Sequence, residues 1–315
     1  MNELRIFCPA TIANLSCGFD VMGLCLEAIG DEMVIRKSDK KGLQIVKIVG
    51  ADLPFEIEKN VAGVAAQSLL DAFLIKQYKT VFELDFGFEI EIYKNIKAGS
   101  GIGSSAASAA GAVFGLNVLL GFPFTMHELV FFAMQGEVIA SGSAHADNVA
   151  PCLFGGFTLV RSLNPLDVIE IPSPDLLFAT VIHPHIELKT SEMRAVLPAT
   201  VSLKNAITQW GNVGGLVAGL FKQDYELIGR SLTDVVIEPV RSVFIPEFQN
   251  LKQIAAANGG LGCGISGSGP SVFVLSKGKE TADVIAKLFK NHFEKTTLTF
   301  DIYVSKIATM GCQIM

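Results

Sequence analysis

An α+β protein of two domains is what this sequence predicts. The chain has 315 residues, half of them apolar and only 18% charged, enough to bury more than one core. In the first half, a strand of period two leads through a glycine-rich loop into an uncharged helical stretch. In the second half, strands and helices alternate at the spacing of a compact α+β unit.

The elements follow in order. Leu4–Cys8 is an apolar run closed by Pro9 and reads as a strand; the small and polar residues of Thr11–Gly23 read as a loop. Leu43–Val49 is apolar and β-branched, a second strand. Asn60 caps a helix from Val61 to about Tyr78, with Val64, Ala65, Leu69, Ala72 and Phe73 on one face. Leu84–Tyr93 is the clearest strand, because Leu84, Phe86, Phe88, Ile90 and Ile92 alternate with Asp85, Gly87, Glu89 and Glu91. Thr125-Met126-His127-Glu128 is a capping box that opens a helix to about Ala140. Ser141–Pro151 reads as a polar loop and Phe154–Val160 as a strand. Pro165, Pro172 and Pro174 then mark a change in composition, which places a boundary near residue 160 between domains 1–160 and 161–315.

Beyond it, Leu176–His183 reads as a strand, and Lys204–Phe221 and Tyr225–Asp234 as helices. Pro246–Asn258 is a helix with Pro near its start and Gly259-Gly260 past its end. A glycine-serine turn, Gly264–Pro270, precedes the strand Val272–Leu275; a helix Thr281–His292 and a strand Thr299–Ile307 complete the chain.

Composition excludes several classes. Lys and Arg total 25 against 31 Asp and Glu, a net charge of −6, and no basic block exists to bind nucleic acid. The six cysteines form no C-x-x-C pair and match no zinc spacing, so reduced thiols and a cytoplasmic location are expected. Met1–Ala10 carries no long apolar stretch of the signal-peptide kind. Ala106–Phe124 is long enough to span a bilayer, but its Ala, Gly and Ser content, Asn117 and sparse Lys/Arg flanks predict a buried helix instead, and no membrane partner.

The most informative stretch is Ala98-Gly99-Ser100-Gly101-Ile102-Gly103-Ser104-Ser105. Glycines at every second position allow turns that expose successive amides, and the helix that follows adds unpaired N–H groups and positive dipole. That is a seat for phosphate. No Lys follows the last glycine, which excludes a Walker A loop, and the spacing is not G-x-G-x-x-G.

Three segments in this order resemble the GHMP small-molecule kinase superfamily. They are Pro9-Ala10-Thr11-Ile12-Ala13-Asn14-Leu15-Ser16-Cys17-Gly18-Phe19-Asp20-Val21-Met22-Gly23, the glycine loop with Ser104-Ser105-Ala106-Ala107, and Gly264-Ile265-Ser266-Gly267-Ser268-Gly269-Pro270-Ser271. The first is similar to the homoserine-kinase branch. So are Glu137 with Gly142-Ser143-Ala144-His145-Ala146-Asp147-Asn148-Val149-Ala150-Pro151, and Lys189-Thr190-Ser191-Glu192-Met193-Arg194-Ala195-Val196-Leu197-Pro198. The resemblance runs end to end. It implies an N-terminal mixed-sheet ATP-binding domain and a C-terminal ferredoxin-like α/β-plait domain, with the last strand able to return to the first domain. It implies phosphoryl transfer from ATP to the hydroxyl of L-homoserine, Mg²⁺, and a homodimer. Rival readings are another kinase of the superfamily, a decarboxylase-like lyase, or a silent nucleotide-binding regulator; Ser104 and Glu137 argue against the last.

By the same resemblance, Ser104 and Glu137 hold Mg²⁺, Asn60 lies near the nucleotide base, and His145 and Thr190 line the acceptor pocket. An amino-acid acceptor needs a cation at its carboxylate, for which Arg194 and Arg241 are the candidates, and an anion at its ammonium, for which Asp20 is. Asn14 orients the hydroxyl or amino group. Asn148 stands where many relatives have an acidic residue, and its amide accepts no proton, so Asn14, Asp20 and Asn148 are expected to align the reactants rather than deprotonate them. Asp147 is adjacent, but alternation of direction turns it away. The Pro that often precedes the loop in the family is absent; Asn95-Ile96-Lys97-Ala98 stands there, and Lys97 can reach a phosphate or face water.

Overall fold

The computed structural model describes residues 2–78 and 86–315. In chain order the first part comprises β1 (Glu3–Ala13), β2 (Met22–Ser38), β3 (Gly42–Val49), α1 (Val61–Tyr78), β4 (Gly87–Tyr93), α2 (Ser104–Leu119), α3 (Met126–Ser141), α4 (Val149–Phe154), β5 (Phe157–Leu163) and β6 (Leu166–Ile171). The second part comprises β7 (Leu177–Pro184), α5 (Thr190–Ala195), α6 (Leu203–Lys222), α7 (Tyr225–Ser231), α8 (Glu238–Arg241), α9 (Phe248–Ala257), β8 (Gly260–Ile265), β9 (Val272–Lys277), α10 (Lys279–Phe293), β10 (Phe300–Lys306) and β11 (Gln313–Ile314).

The larger sheet runs β11-β1-β2-β4-β3, with β5 on the start of β2 and β6 on β5. It is mixed: β3 and β4 are parallel, and α1 supplies the crossover such a pair needs. The alternation in β4 is realised, with Phe88, Ile90 and Ile92 buried; the predicted start of that strand at Leu84 and Asp85 lies outside the described residues. The uncharged α2 is buried along nearly its whole length and fills the centre of the core with α1, α3 and the sheet. Among the described residues no helix is long and apolar enough to cross a membrane. The capping box at Thr125 and Glu128 is formed in both directions.

The second sheet is antiparallel, in the order β10-β7-β9-β8. Counting its strands along the chain, the order is fourth-first-third-second, the split βαβ plait. Its own cluster of Phe248, Leu251, Val272, Ile285, Phe289 and Phe293 lies under α9 and α10. The chain passes between the sheets in the segment from Ile171 to Leu177, where Pro172 and Pro174 stand. At its end β11 returns to β1.

Several elements depart from the sequence reading. β1 continues through Pro9 to Ala13 because a register shift between Pro9 and Thr11 accommodates the missing donor. β2 was not expected at all; Gly23 and Gly30 punctuate its first half, and only Met33 and Ile35 alternate with polar neighbours. Thr11–Gly23 is therefore a loop only between the two strands. Ser141–Pro151 ends in α4 rather than continuing as loop. β8 carries three glycines and is a strand because β9 pairs with it.

Candidate active site

The two sheets and their loops enclose a cavity of about 470 Å³. One end is the glycine loop between β4 and α2. Gly99, Gly101 and Gly103 have φ of 70°, 81° and 74°, so left-handed residues alternate with ordinary ones. A β-carbon on Gly101 would lie 2.6 Å from the Gly269 carbonyl oxygen, and one on Gly103 would lie 2.0 Å from the Thr11 hydroxyl. Glycine is required at both by conformation and by space.

The loop is braced from behind. The Ser266 hydroxyl donates to the Gly101 carbonyl at 2.7 Å, and the Ser271 hydroxyl to the Ser100 carbonyl at 2.6 Å. The Thr11 amide donates to the Ile102 carbonyl at 3.2 Å. Carbonyls are thus occupied by β1 and by the turn before β9, while the N-terminus of α2 has Gly103 as its cap and no side-chain acceptor. The first-turn amides of α2 stand available to an anion.

Beneath the loop lies a buried ion pair that the sequence reading missed. Lys94, the residue after β4, pairs with Asp31 of β2. Its ammonium also donates to the Ser104 carbonyl at 2.7 Å and the Ser108 hydroxyl at 3.0 Å. Asp31 in turn accepts from the amides of Asn95 at 2.7 Å and Ile96 at 2.8 Å. The pair fixes the end of β4, the loop entry and the first turn of α2 as one unit. Lys97 is not brought to the cavity: its ammonium sits 2.9 Å from Asp301 and 2.7 Å from His185. The Ile102 side chain is in the core.

On the α3 side, the Ser105 hydroxyl donates to Glu137 at 3.1 Å, whereas the Ser104 hydroxyl donates to the Ile96 carbonyl at 3.0 Å. Burial pushes the Glu137 carboxyl up to about 7, with the Ser105 hydroxyl and Lys94 drawing it back. Asp147 is also pushed up to about 7, by burial first and then by the carboxylates of Asp20 and Glu137. Asp147 lines the cavity together with Asn148, contrary to the alternation argument, because both lie in a turn before α4 and not in an extended strand. Asn148 accepts a hydrogen bond from the Thr11 hydroxyl at 2.7 Å. Asn60 caps α1, accepting from the Ala62 amide at 3.0 Å and donating to the Pro54 carbonyl at 2.7 Å. It lines the cavity with Leu53, Pro54, Lys59 and Val61.

The other end is built from the loop after β1 and from α5 and α8. Asn14, Leu15, Ser16 and Asp20 all have positive φ, a strained conformation for residues with side chains. Asn14 holds it by accepting from the Asp20 amide at 3.0 Å and donating to the Gly267 carbonyl at 2.7 Å. From α6, Gln209 donates to the Cys17 carbonyl at 2.9 Å. Arg194 of α5 grips both oxygens of Asp20, at 3.0 and 2.8 Å. The buried Arg241 of α8 donates to the carbonyls of Met193 at 3.0 Å and Gly267 at 3.3 Å; burial and the neighbouring Arg194 hold its pKa below the usual range. Both guanidinium groups stack over Phe19, 5.4 and 5.1 Å from its centroid. His145 lies 3.9 Å from Asp20 and is kept below its ordinary pKa chiefly by burial. The hydroxyls of Thr190 and Ser268 are 3.2 Å apart.

An uncapped helix start with a glycine cradle, joined by one cavity to paired guanidinium and carboxylate groups, is the layout of a kinase for a small charged acceptor. The pattern of the GHMP kinases N terminal domain matches residues 60–156, and that of the GHMP kinases C terminal matches residues 216–295. The chain belongs to the GHMP kinase family.

Within it, the homoserine kinase of Chlorobium phaeobacteroides is 46% identical over 325 residues, covering all of both chains. That of Methanococcus vannielii is 35% identical, covering all of this chain and 99% of that one. The crystal structure of homoserine kinase from Cytophaga hutchinsonii superposes with a TM-score of 0.93 at 47% identity, over 100% of this chain and 98% of that chain. A mevalonate kinase from L. major, at 17% identity and a TM-score of 0.69, shares the fold.

Proposed function

We propose that this chain transfers the γ-phosphoryl group of ATP to the side-chain hydroxyl of L-homoserine, giving O-phospho-L-homoserine for threonine synthesis. One observation carries the reading. The Asp20–Arg194 pair, complementary to a zwitterion, faces the same cavity as the uncapped amides of α2. In the free protein the two side chains neutralise each other. An amino acid exchanges that pair for two of its own, ammonium to Asp20 and carboxylate to Arg194, with the Phe19 ring against the Arg194 guanidinium and Arg241 anchoring α5 through the Met193 carbonyl.

The triphosphate lies along the amides of residues 99–105, with the base beside Asn60. Asn14, His145 and Thr190 orient the acceptor. The donor set fits a hard divalent cation: Glu137 and Asp147 are buried carboxyls at one cavity wall, and Ser104 and Ser105 add hydroxyls. Among the described residues no cluster of three or more His, Cys, Asp or Glu forms a protein-only cage, which suits Mg²⁺ shared with phosphate oxygens. Mg²⁺ held by these residues would supply charge neutralisation for the transferred phosphoryl group. The Asn148 amide aligns and does not accept a proton, and the loose transition state of phosphoryl transfer needs little activation of the hydroxyl. The six buried free thiols suit a reducing compartment, and cytoplasmic residence and a homodimer belong to the same reading.

The test is ADP release with L-homoserine, L-threonine, mevalonate and galactose offered separately. Turnover with L-homoserine is the expected result. Turnover with mevalonate alone, or with none of the four, overturns the reading.

A further inference from the structure

The outer face of α6 has no role in the site. On its inner face, Asn205 donates to the Val235 carbonyl at 3.4 Å, Gln209 to the Cys17 carbonyl and Asn212 to the Thr233 carbonyl at 2.9 Å each, and Leu216 and Leu220 enter the core. Amides therefore face the protein. Leu203, Ile207, Trp210, Gly214 and Phe221 face outward, and Val217, partly buried against the core, completes the stripe in alternating steps of four and three, the spacing of a helix–helix seam. Leu203 is 69% exposed, Ile207 57%, Trp210 64% and Phe221 56%. Between Lys204 and Lys222 the helix has no charged residue, although a helix face in water ordinarily carries charge.

We infer that this face is covered by the same face of a second copy, the two α6 helices antiparallel about a two-fold axis at the level of Asn212. The stripe is self-complementary only in that arrangement. Leu203 meets the partner's Phe221, Ile207 meets the partner's Val217, and Trp210 meets the partner's Gly214. Nothing lies within 4 Å of where a β-carbon on Gly214 or Gly211 would stand, so the largest side chain of the stripe has open space opposite it. A parallel pairing sets the two indoles against each other instead. A two-fold contact requires that each residue meet its counterpart reciprocally, and antiparallel macrodipoles favour the same geometry.

The area is of the right order. Each of the four large side chains exposes roughly 100 Å², so the pair covers on the order of 800 Å² from these alone. That is about half of a standard interface of ~1,600 Å², before the flanks of helices about 30 Å long are added. The inference names the partner and surface of the expected homodimer. It does not depend on the acceptor substrate, so failure of the kinase assay leaves it standing.

Trp210 is the single Trp of the chain, so its emission reports directly on this face. Light-scattering mass and Trp emission are measured at micromolar concentration for wild type, for the double variant Leu203→Glu/Ile207→Glu, and for Gly214→Gln. All three substitutions fall on open surface, and far-UV circular dichroism verifies folding. The expected result is a wild-type dimer with blue-shifted emission, and monomers with red-shifted emission for both variants. A monomeric wild type overturns the inference. So does a dimer with solvent-exposed emission, or one that survives both variants.

Discussion

In the proposed reading, Arg194 and Asp20 are a residue pair that is both structure and site. They neutralise each other across the mouth of the cavity, and each remains partly exposed, so neither is locked away from a ligand. Lysine at 194 keeps the charge but loses the fork. Arg194→Lys is expected to raise the KM for L-homoserine by about 10–100-fold, the equivalent of losing one or two charge-assisted hydrogen bonds. The KM for ATP should change little, and steady-state kinetics with each substrate varied decides the point. Glu137 and Asp147 make a prediction in pH. Burial favours their neutral forms and lifts both to about 7, above the ordinary carboxyl range. The stability these two groups contribute is present at low pH and declines as pH rises from the unfolded-state value through 7. Magnesium nucleotide needs the anions, so its affinity should increase over pH 6 to 8 in calorimetric titrations, and Glu137→Gln should flatten the profile. Asp147 also tests the absence of a base. Asp147→Asn should weaken magnesium-nucleotide binding, while kcat at saturating magnesium nucleotide falls by less than about tenfold; a loss of roughly 10²–10⁴ that saturating magnesium nucleotide does not restore, with the acid limb of the profile gone, would identify a general base.

At the scale of elements, the glycine loop depends on what surrounds it. Lys94 and Asp31 are both buried, and together they fix three backbone groups around the loop entry and the start of α2. Lys94→Met leaves a buried carboxylate without its cation and is expected to cost about 3–5 kcal/mol of stability, read by urea denaturation. The glycine loop, the period-two strand β4 and the capping box were legible because each rests on local rules. Gly101 and Gly103 announce positive φ, Phe88 and Ile90 announce a buried face, and Thr125 and Glu128 satisfy each other within one turn. The Lys94–Asp31 pair was not legible, since its partners are 63 positions apart and a lone Lys after a strand reads as a solvated end. Attention to Lys97 was misplaced for the same reason: Asp301, far along the chain, takes its charge. β2 and β8 were missed because glycine lowers strand propensity and only tertiary pairing restores it.

At the scale of the whole molecule, the site belongs to neither sheet alone. The larger sheet and α2 supply the amides, while α5, α8 and the turn before β9 supply the guanidinium groups and the serines that brace the loop. The order of the motifs along the chain was enough to place the molecule in its family. The route by which distant segments converge on one cavity is a property of sheet topology and is visible only once the strands are paired. The account stands on main-chain N–H groups, without a loop lysine, holding a triphosphate next to an amino-acid pocket. The most direct measurement is a crystal structure with a non-hydrolysable ATP analogue and L-homoserine. The account predicts β- and γ-phosphates on the amides of residues 99–105, with the amino acid between Asp20 and Arg194; phosphates seated elsewhere would contradict it.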